Sequence, residues 1–85
     1  MIMSLEKTSL FHIEDMNVEE IRITLKEVYE ALKERGYNPT NQIVGYLISG
    51  DLGYISSHKD ARKKIQAMDR AKIVEVLLEE FQKER

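Results

Sequence analysis

The sequence predicts an all-α protein: a compact bundle of three to four short helices with a helix-turn-helix-like centre and a flexible or short-strand N-terminal arm. Apolar residues recur at spacings of three and four along most of residues 17–81, which is the period of one helix face. Residues that favour helix ends separate these periodic segments. Because residues 1–16 have no helical period, we expect them to form the arm, and residues 17–85 to form one helical domain.

The first helix is predicted to begin after Asn17 and to end before Gly36. Asn17 and Glu20 form the capping-box pattern, in which each side chain accepts a hydrogen bond from the other residue's backbone N–H. Gly36 suits the left-handed position that follows a helix. The apolar stripe between these ends consists of Val18, Ile21, Leu25, Val28 and Leu32, broadened by Tyr29.

A short second helix is predicted from Pro39 to Ser49. Asn38 can cap it, and Pro39 suits the first helical position, where a missing N–H costs nothing. Gly45 lowers the helix propensity, so we expect another element to approach closely at this position. The composition of residues 50–53 predicts a turn after this helix.

The remaining chain predicts two more helices. Ser57 begins a second capping-box pattern, which ends at Asp60 and predicts a helix that starts there. Asp69 either caps a fourth helix or lies in a bend of one long helix, and we favour the cap. The third helix would carry Ala61, Ile65 and Met68, and the fourth a stripe of Ile73, Val76, Leu77 and Phe81 flanked by Val74 and Leu78.

Composition excludes several classes of protein. The chain has 85 residues, enough for one small domain, and self-association is one way for such a domain to bury more apolar area. It has no Cys, which rules out a disulfide scaffold, a thiolate nucleophile and a zinc ribbon. The net charge of −2 does not favour binding to a polyanion. Without a signal-peptide pattern or a membrane-spanning run, the expected location is the cytoplasm.

No pattern predicts catalysis. His12 and His58 lie far apart, and neither has a second ligand at metal-binding spacing, so each is expected to be solvated or singly hydrogen-bonded. No glycine-rich phosphate loop is present. The acids of the last helix fit a hydrated face: Glu75, Glu79, Glu80 and Glu84. We therefore expect a non-enzymatic protein without a cofactor or a metal.

Two groups of residues are candidates for binding. A basic run could contact phosphate or nucleic acid, which leaves a helix-turn-helix-like nucleic-acid-binding module as the alternative function; the ordinary interpretation is a charged face that offsets acidic neighbours. Its residues are Lys59, Arg62, Lys63 and Lys64. A second, tyrosine- and amide-rich group could either pack in the core or form a protein interface. Its residues are Tyr37, Asn38, Asn41, Gln42, Tyr46 and Tyr54.

The segment from Gly36 to Asp51, GYNPTNQIVGYLISGD, resembles the signature of the IreB/YrzL family. These are small regulatory phosphoproteins of Gram-positive bacteria, long described as uncharacterised. The resemblance continues through Tyr54-Ile55, residues 58–62, Ile65 and Asp69-Arg70, and it spans the chain from about Thr8 to Leu78. Leu52-Gly53 and Ser56 depart from the family, which often has Pro-Ala and Pro at these positions.

This resemblance implies a helical homodimer that is the substrate of a membrane Ser/Thr kinase with extracellular PASTA domains. It also implies a restraining role in cell-envelope stress or antibiotic tolerance, through a downstream protein that the sequence does not name. Thr8 matches one of the family's N-terminal phosphoacceptor threonines, whereas Leu5 stands at the other position, beside Ser4. A phosphate on Thr8 would either release the arm or redock it on the basic run, and the sequence leaves both open.

Overall fold

The computed structural model describes residues 16–83 of the chain. Within these residues four α-helices follow one another without a β-strand, which confirms the predicted all-α fold. They are α1 (Val18–Glu34), α2 (Pro39–Ser49), α3 (Ala61–Gln66) and α4 (Arg70–Lys83), with single 3-10 turns at Leu52–Tyr54 and His58–Asp60. Apart from Met16, the predicted N-terminal arm lies outside the described residues.

Helix α1 is the centre of the fold, because α2, α3 and α4 all pack against it. One face of α1 is buried in the core: Ile21, Leu25, Val28, Ala31 and Leu32. The other elements contribute Ile43, Tyr46, Ile55, Ala61, Ile65, Met68, Ile73 and Val76. The predicted stripe of α1 is therefore confirmed except at its edges, where Val18 and Tyr29 are 47% and 37% exposed.

Both ends of α1 form as the sequence predicts. The Asn17 side chain accepts from the Glu20 N–H at 2.8 Å, and the Glu20 carboxylate accepts from the Asn17 N–H at 3.0 Å. At the other end Gly36 has a φ of 89°, and its N–H donates to the Lys33 carbonyl at 2.9 Å. These bonds satisfy backbone groups that a helix end otherwise leaves without partners.

The second helix also has the predicted ends. The Asn38 side chain accepts from the Asn41 N–H at 3.1 Å, and Gly50, with a φ of 77°, ends the helix. Gly45 lies against the ring of Tyr54, so closely that a Cβ on Gly45 would lie 2.5 Å from the Tyr54 Cδ1 atom. The close approach expected at Gly45 is confirmed, and the 3-10 turn after α2 is the element that approaches.

The predicted start of the third helix is wrong. Ser57 makes no capping hydrogen bond, and α3 begins only at Ala61. Lys59 and Asp60 have φ values of 52° and 62°, so both lie in the left-handed region. A capping box needs helical backbone between its first and last residues, and these two residues interrupt it. Met68 is buried as predicted, but it lies beyond the end of α3.

The fourth helix is separate from the third, as the cap at Asp69 predicts. The Asp69 Oδ1 atom accepts from the N–H of Ala71 at 2.8 Å and of Lys72 at 3.3 Å. The predicted stripe of α4 is only half confirmed. Ile73 and Val76 are buried, whereas Leu77 and Phe81 are 42% and 70% exposed.

The described part of the chain contains no helix that is long and apolar enough to cross a membrane.

Candidate interaction surfaces

An open groove of about 590 Å³ runs between α1 and α4. We call it the α1–α4 groove. Its floor is apolar and consists of Ile23, Leu25, Tyr29, Val76 and Leu77, and the charged residues at its rim are Arg22, Lys26, Glu27, Glu30 and Glu80. A groove with an apolar floor and a charged rim is typical of a surface that receives an apolar segment of a protein.

An ion pair joins the two helices beside this groove. The Arg22 Nε atom donates to the Glu80 carboxylate at 2.8 Å, and the Arg22 NH1 group donates to Glu19 at 2.9 Å. The hydrogen bond from Arg22 to Glu80 is the main cause that raises the pKa of Arg22. Because all three side chains are solvent-accessible, this pair orients α4 on α1 more than it stabilises the fold.

A second apolar surface lies on the outer side of α4. Val74, Leu78 and Phe81 are 41%, 61% and 70% exposed, and their spacing of four and three residues places them on one helix face. We call these three residues the outer stripe. Together with buried Ile73 and Val76, they make α4 apolar around much of its circumference. This breadth is the signal from which the sequence could have predicted a second contact surface on α4.

The structure divides the tyrosine- and amide-rich group between the core, a helix cap and the surface. Tyr46 is 5% exposed and belongs to the core, while Asn38 caps α2. Tyr54 packs on Gly45 but remains 44% exposed. The remaining members are exposed Tyr37 and Asn41 and half-buried Gln42.

The basic run lies against the acidic side of α1. Lys59 and Lys64 form ion pairs with Glu34 at 3.0 Å and Glu27 at 3.2 Å. These contacts support the interpretation of the run as a charged face that offsets acidic neighbours. Of the other two members, Arg62 donates from Nε to the Ile55 carbonyl at 2.9 Å, and Lys63 is exposed. A nucleic-acid-binding role therefore gains no support from this arrangement.

Glu34, at the last position of α1, is bonded to two consecutive residues of the turn before α3. Its Oε1 atom lies 2.8 Å from the His58 Nε2 atom and 3.0 Å from the Lys59 Nζ atom. The hydrogen bond from His58, followed by that from Lys59, lowers the pKa of Glu34. His58 thus has a side-chain hydrogen bond to one carboxylate, in line with its sequence interpretation, whereas His12 lies outside the described residues.

Over residues 16–83, no three His, Cys, Asp or Glu side chains come close enough to hold a metal ion. Among the acids of the last helix, Glu80 pairs with Arg22, and Glu75 and Glu79 are exposed. Glu84 and the proposed phosphoacceptor Thr8 lie outside the described residues.

Comparison with known proteins decides the family. Residues 6–83 match the profile of the family described as "IreB regulatory phosphoprotein". The chain belongs to the IreB family. A relative from Acetivibrio thermocellus, described as "UPF0297 protein", is 50% identical over 76 residues, which are 89% of this chain and 84% of the relative. The resemblance drawn from residues 36–51 is thereby confirmed, and the match includes Thr8 as well as all four helices.

The residues that carried the resemblance to the IreB family have identifiable roles in the fold. In the segment from Gly36 to Asp51, Gly36 and Gly50 adopt left-handed conformations at helix ends. A third glycine, Gly45, packs against the Tyr54 ring. The side chain of Ser49 accepts from the Asp51 N–H at 2.9 Å, and the Asp51 carboxylate accepts from the Gly53 N–H at 2.8 Å. This part of the IreB sequence therefore specifies α2 and the turns around it.

Proposed function

We propose that this IreB family member is a non-enzymatic regulatory phosphoprotein, phosphorylated by a PASTA-type Ser/Thr kinase, that acts by binding other proteins in cell-envelope stress or antibiotic-tolerance signalling. Membership of a family of regulatory phosphoproteins supports the regulatory role. The observation that carries the binding role is the amount of apolar surface on and beside α4. A cytoplasmic location fits a kinase whose PASTA domains are extracellular.

The apolar surface beside α4 is contiguous, which distinguishes it from scattered surface hydrophobics. Leu77 lies in the α1–α4 groove, three residues after Val74 and four before Phe81 of the outer stripe, and these spacings make side chains neighbours on a helix surface. Phe81 is among the most exposed large apolar side chains of residues 16–83, at 70%. Leaving such groups in water is unfavourable by about 25 cal/mol per Å² of apolar area, so a contiguous patch favours association.

Thr8 is the proposed phosphoacceptor. The catalytic domain of a PASTA kinase should add phosphate to the wild-type chain, and Thr8→Ala should lose that phosphate. Ser9→Ala is the matched control, because it removes the neighbouring hydroxyl but retains Thr8. Mass spectrometry of the intact protein and of its N-terminal peptide measures the outcome. Equal labelling of the wild type and of Thr8→Ala would contradict the assignment.

We also propose that the chain is a homodimer that pairs through the outer stripe. Two copies of one helix related by a two-fold axis present the same residues to each other, so one apolar stripe can supply both sides of the contact. Leu78→Asp should convert the dimer to a monomer in light scattering at tens of micromolar protein. Ile48→Asp is the control, since Ile48 is 79% exposed but lies on α2. A wild-type chain that is monomeric at this concentration would refute the dimer.

A further inference from the structure

The last residue of the N-terminal arm, Met16, lies beside the α1–α4 groove, at a separate hollow. Met16, the first described residue, is half-buried and packs against the core. It lines a hollow together with Ile21 of α1 and Val76 of α4. Val76 also lines the α1–α4 groove. The arm therefore joins the body about one side chain away from the apolar floor of the groove.

The part of the arm nearest to the body has the composition to fill this groove. Leu10, Phe11 and Ile13 lie within six residues of Met16. Six extended residues reach roughly 20 Å, which is about twice the distance between two packed helix axes. Tyr29 follows Met16 by 13 positions, which is also about 20 Å along a helix at 1.5 Å per residue, so the far end of the segment can reach the far end of the floor. Its three apolar side chains match a floor made of aliphatic and aromatic groups.

We propose that the segment Leu10–Ile13 docks in the α1–α4 groove of its own chain, and that phosphate on Thr8 weakens this docking. The second half of this proposal rests on the proposed phosphorylation of Thr8, and the first half does not. The groove of the unmodified chain would then be occupied by its own segment, and the groove of the phosphorylated chain would be available to a protein partner.

The charges at the groove determine whether a phosphate on Thr8 strengthens or weakens the docking. Its rim carries three carboxylates and two cations, and the cation Arg22 is already bonded to Glu19 and Glu80. A phosphate brings about −1.5 to −2 charges, which the apolar floor cannot solvate and which the excess of one carboxylate at the rim disfavours. Ion pairs occupy charges on both surfaces: Glu27 of the rim is bonded to Lys64, and Lys59 of the basic run is bonded to Glu34, whereas Lys63 is exposed. Release from the groove is the expected direction, because a phosphate two residues from Leu10 would have to lose water beside the apolar floor.

Paramagnetic broadening in NMR tests the docking directly. The chain has no Cys, so Ser9→Cys gives a single site for a nitroxide label on the full-length protein. We expect the label to cause loss of amide signal at Ile23, Tyr29 and Leu77, and to leave the amide of Ile48 on α2 unchanged. Equal signal loss at all four amides, or none, would overturn the docking.

Two further variants distinguish specific docking in the groove from nonspecific binding to exposed apolar residues. Phe11→Asp, placed in the labelled chain, should restore the groove amide signals. Phe81→Asp is the matched control: it changes the same residue type on the outer stripe and should leave the broadening intact. If Phe81→Asp alone restored the signals, the arm would lie on the outer stripe and the proposal would be wrong.

A mixed sample identifies the chain to which the docked arm belongs. Nitroxide-labelled chains without ¹⁵N are mixed with ¹⁵N chains without nitroxide, so that only contacts between copies broaden the signals. No broadening of the groove amides supports docking within one chain. Broadening there would show that the arm of a second copy fills the groove, and would overturn the intramolecular proposal.

The same amide signals measure the effect of a phosphate on Thr8 on the docking. Phosphorylation of Thr8 in the labelled chain should restore the groove amides, and Thr8→Glu should restore them in part, because glutamate carries less charge than phosphate. Unchanged broadening in the phosphorylated chain would overturn the switch. If the kinase does not modify Thr8, the proposed function fails while the docking result on the unmodified chain still stands.

Discussion

Helices α1 and α4 are both amphipathic, but they use their apolar residues differently. Helix α1 buries five residues and is packed against three helices. Helix α4 buries only Ile73 and Val76 and exposes four large apolar residues: Val74, Leu77, Leu78 and Phe81. The difference follows from position, because α1 lies at the centre and α4 at the edge. Periodicity identifies a helix, whereas the number of its packing partners decides which apolar residues stabilise the fold.

The largest expected difference is between two leucines. Leu32 on α1 is fully buried and Leu78 on α4 is 61% exposed. Leu32→Ala should lower the free energy of unfolding by about 2–5 kcal/mol, because it leaves a cavity in the core. Leu78→Ala should change it by no more than about 0.5 kcal/mol in dilute protein. Urea unfolding followed by circular dichroism measures both.

Repeating these two unfolding measurements at higher protein concentration tests whether the outer stripe forms a dimer. If the outer stripe forms a dimer, the loss caused by Leu78→Ala should increase as the protein concentration rises, whereas the loss caused by Leu32→Ala should be present at every concentration. Equal losses for the two variants in dilute protein would show that α4 is as deeply packed as α1.

A substitution at Gly45 on α2 should have an effect of intermediate size on the free energy of unfolding. Gly45→Ala places a Cβ within 2.5 Å of the Tyr54 ring, which must then move. We expect a loss of about 1–3 kcal/mol in the free energy of unfolding. In a Tyr54→Ala background the same substitution should instead stabilise the protein by up to about 1 kcal/mol, because alanine is the better helix former. A double-mutant cycle measures this reversal, and a loss in both backgrounds would contradict the close contact.

The caps of α1 and α4 should have smaller effects. Asn17→Ala and Asp69→Ala each remove a side chain that accepts from the backbone of the first turn. Each should cost about 0.5–2 kcal/mol of the free energy of unfolding. Hydrogen exchange should show a further difference: Asp69→Ala should speed exchange mainly in α4, which lies at the edge of the fold and packs mainly on α1. Uniform acceleration along the chain would show that α4 does not open on its own.

The smallest expected effect is a titration at the end of α1. The folded protein holds the pKa of Glu34 below its ordinary value of 4.5, first through His58 and then through Lys59. The resulting stabilisation is present above the ordinary value and is lost as the pH falls through the lowered pKa. His58→Ala and Lys59→Ala should each raise the pKa of Glu34, because each removes a group that lowers it. Carboxyl ¹³C chemical shifts measure the pKa values, and an unchanged pKa in both variants would contradict the cluster.

The helix ends were predictable because they depend on neighbouring residues. Asn17, Asn38 and Asp69 each accept from backbone groups two or three positions ahead, and Gly36 and Gly50 adopt the conformation that glycine favours. Such signals are complete within a few residues of sequence.

The start of α3 was not predictable in the same way. It depends on left-handed conformations at Lys59 and Asp60. Neither residue is a glycine, the residue type that would indicate such a conformation in a sequence. The surroundings of the candidate surfaces also depend on contacts that are distant in sequence. The basic run was visible in the sequence, but its pairing with Glu27 and Glu34 joins residues far apart in the chain. The α1–α4 groove likewise depends on how two distant helices cross.

Adjacent left-handed residues at Lys59 and Asp60 have a consequence for protein engineering. An L-residue in this conformation is disfavoured by roughly 1–2 kcal/mol relative to its preferred backbone, and glycine largely avoids that cost. Asp60→Gly is therefore a candidate stabilising substitution, since the Asp60 side chain makes no capping bond to α3. Lys59→Gly would also relieve the backbone but would remove the ion pair to Glu34. The turn thus offers a position where stability can be raised without altering the core, the groove or the outer stripe.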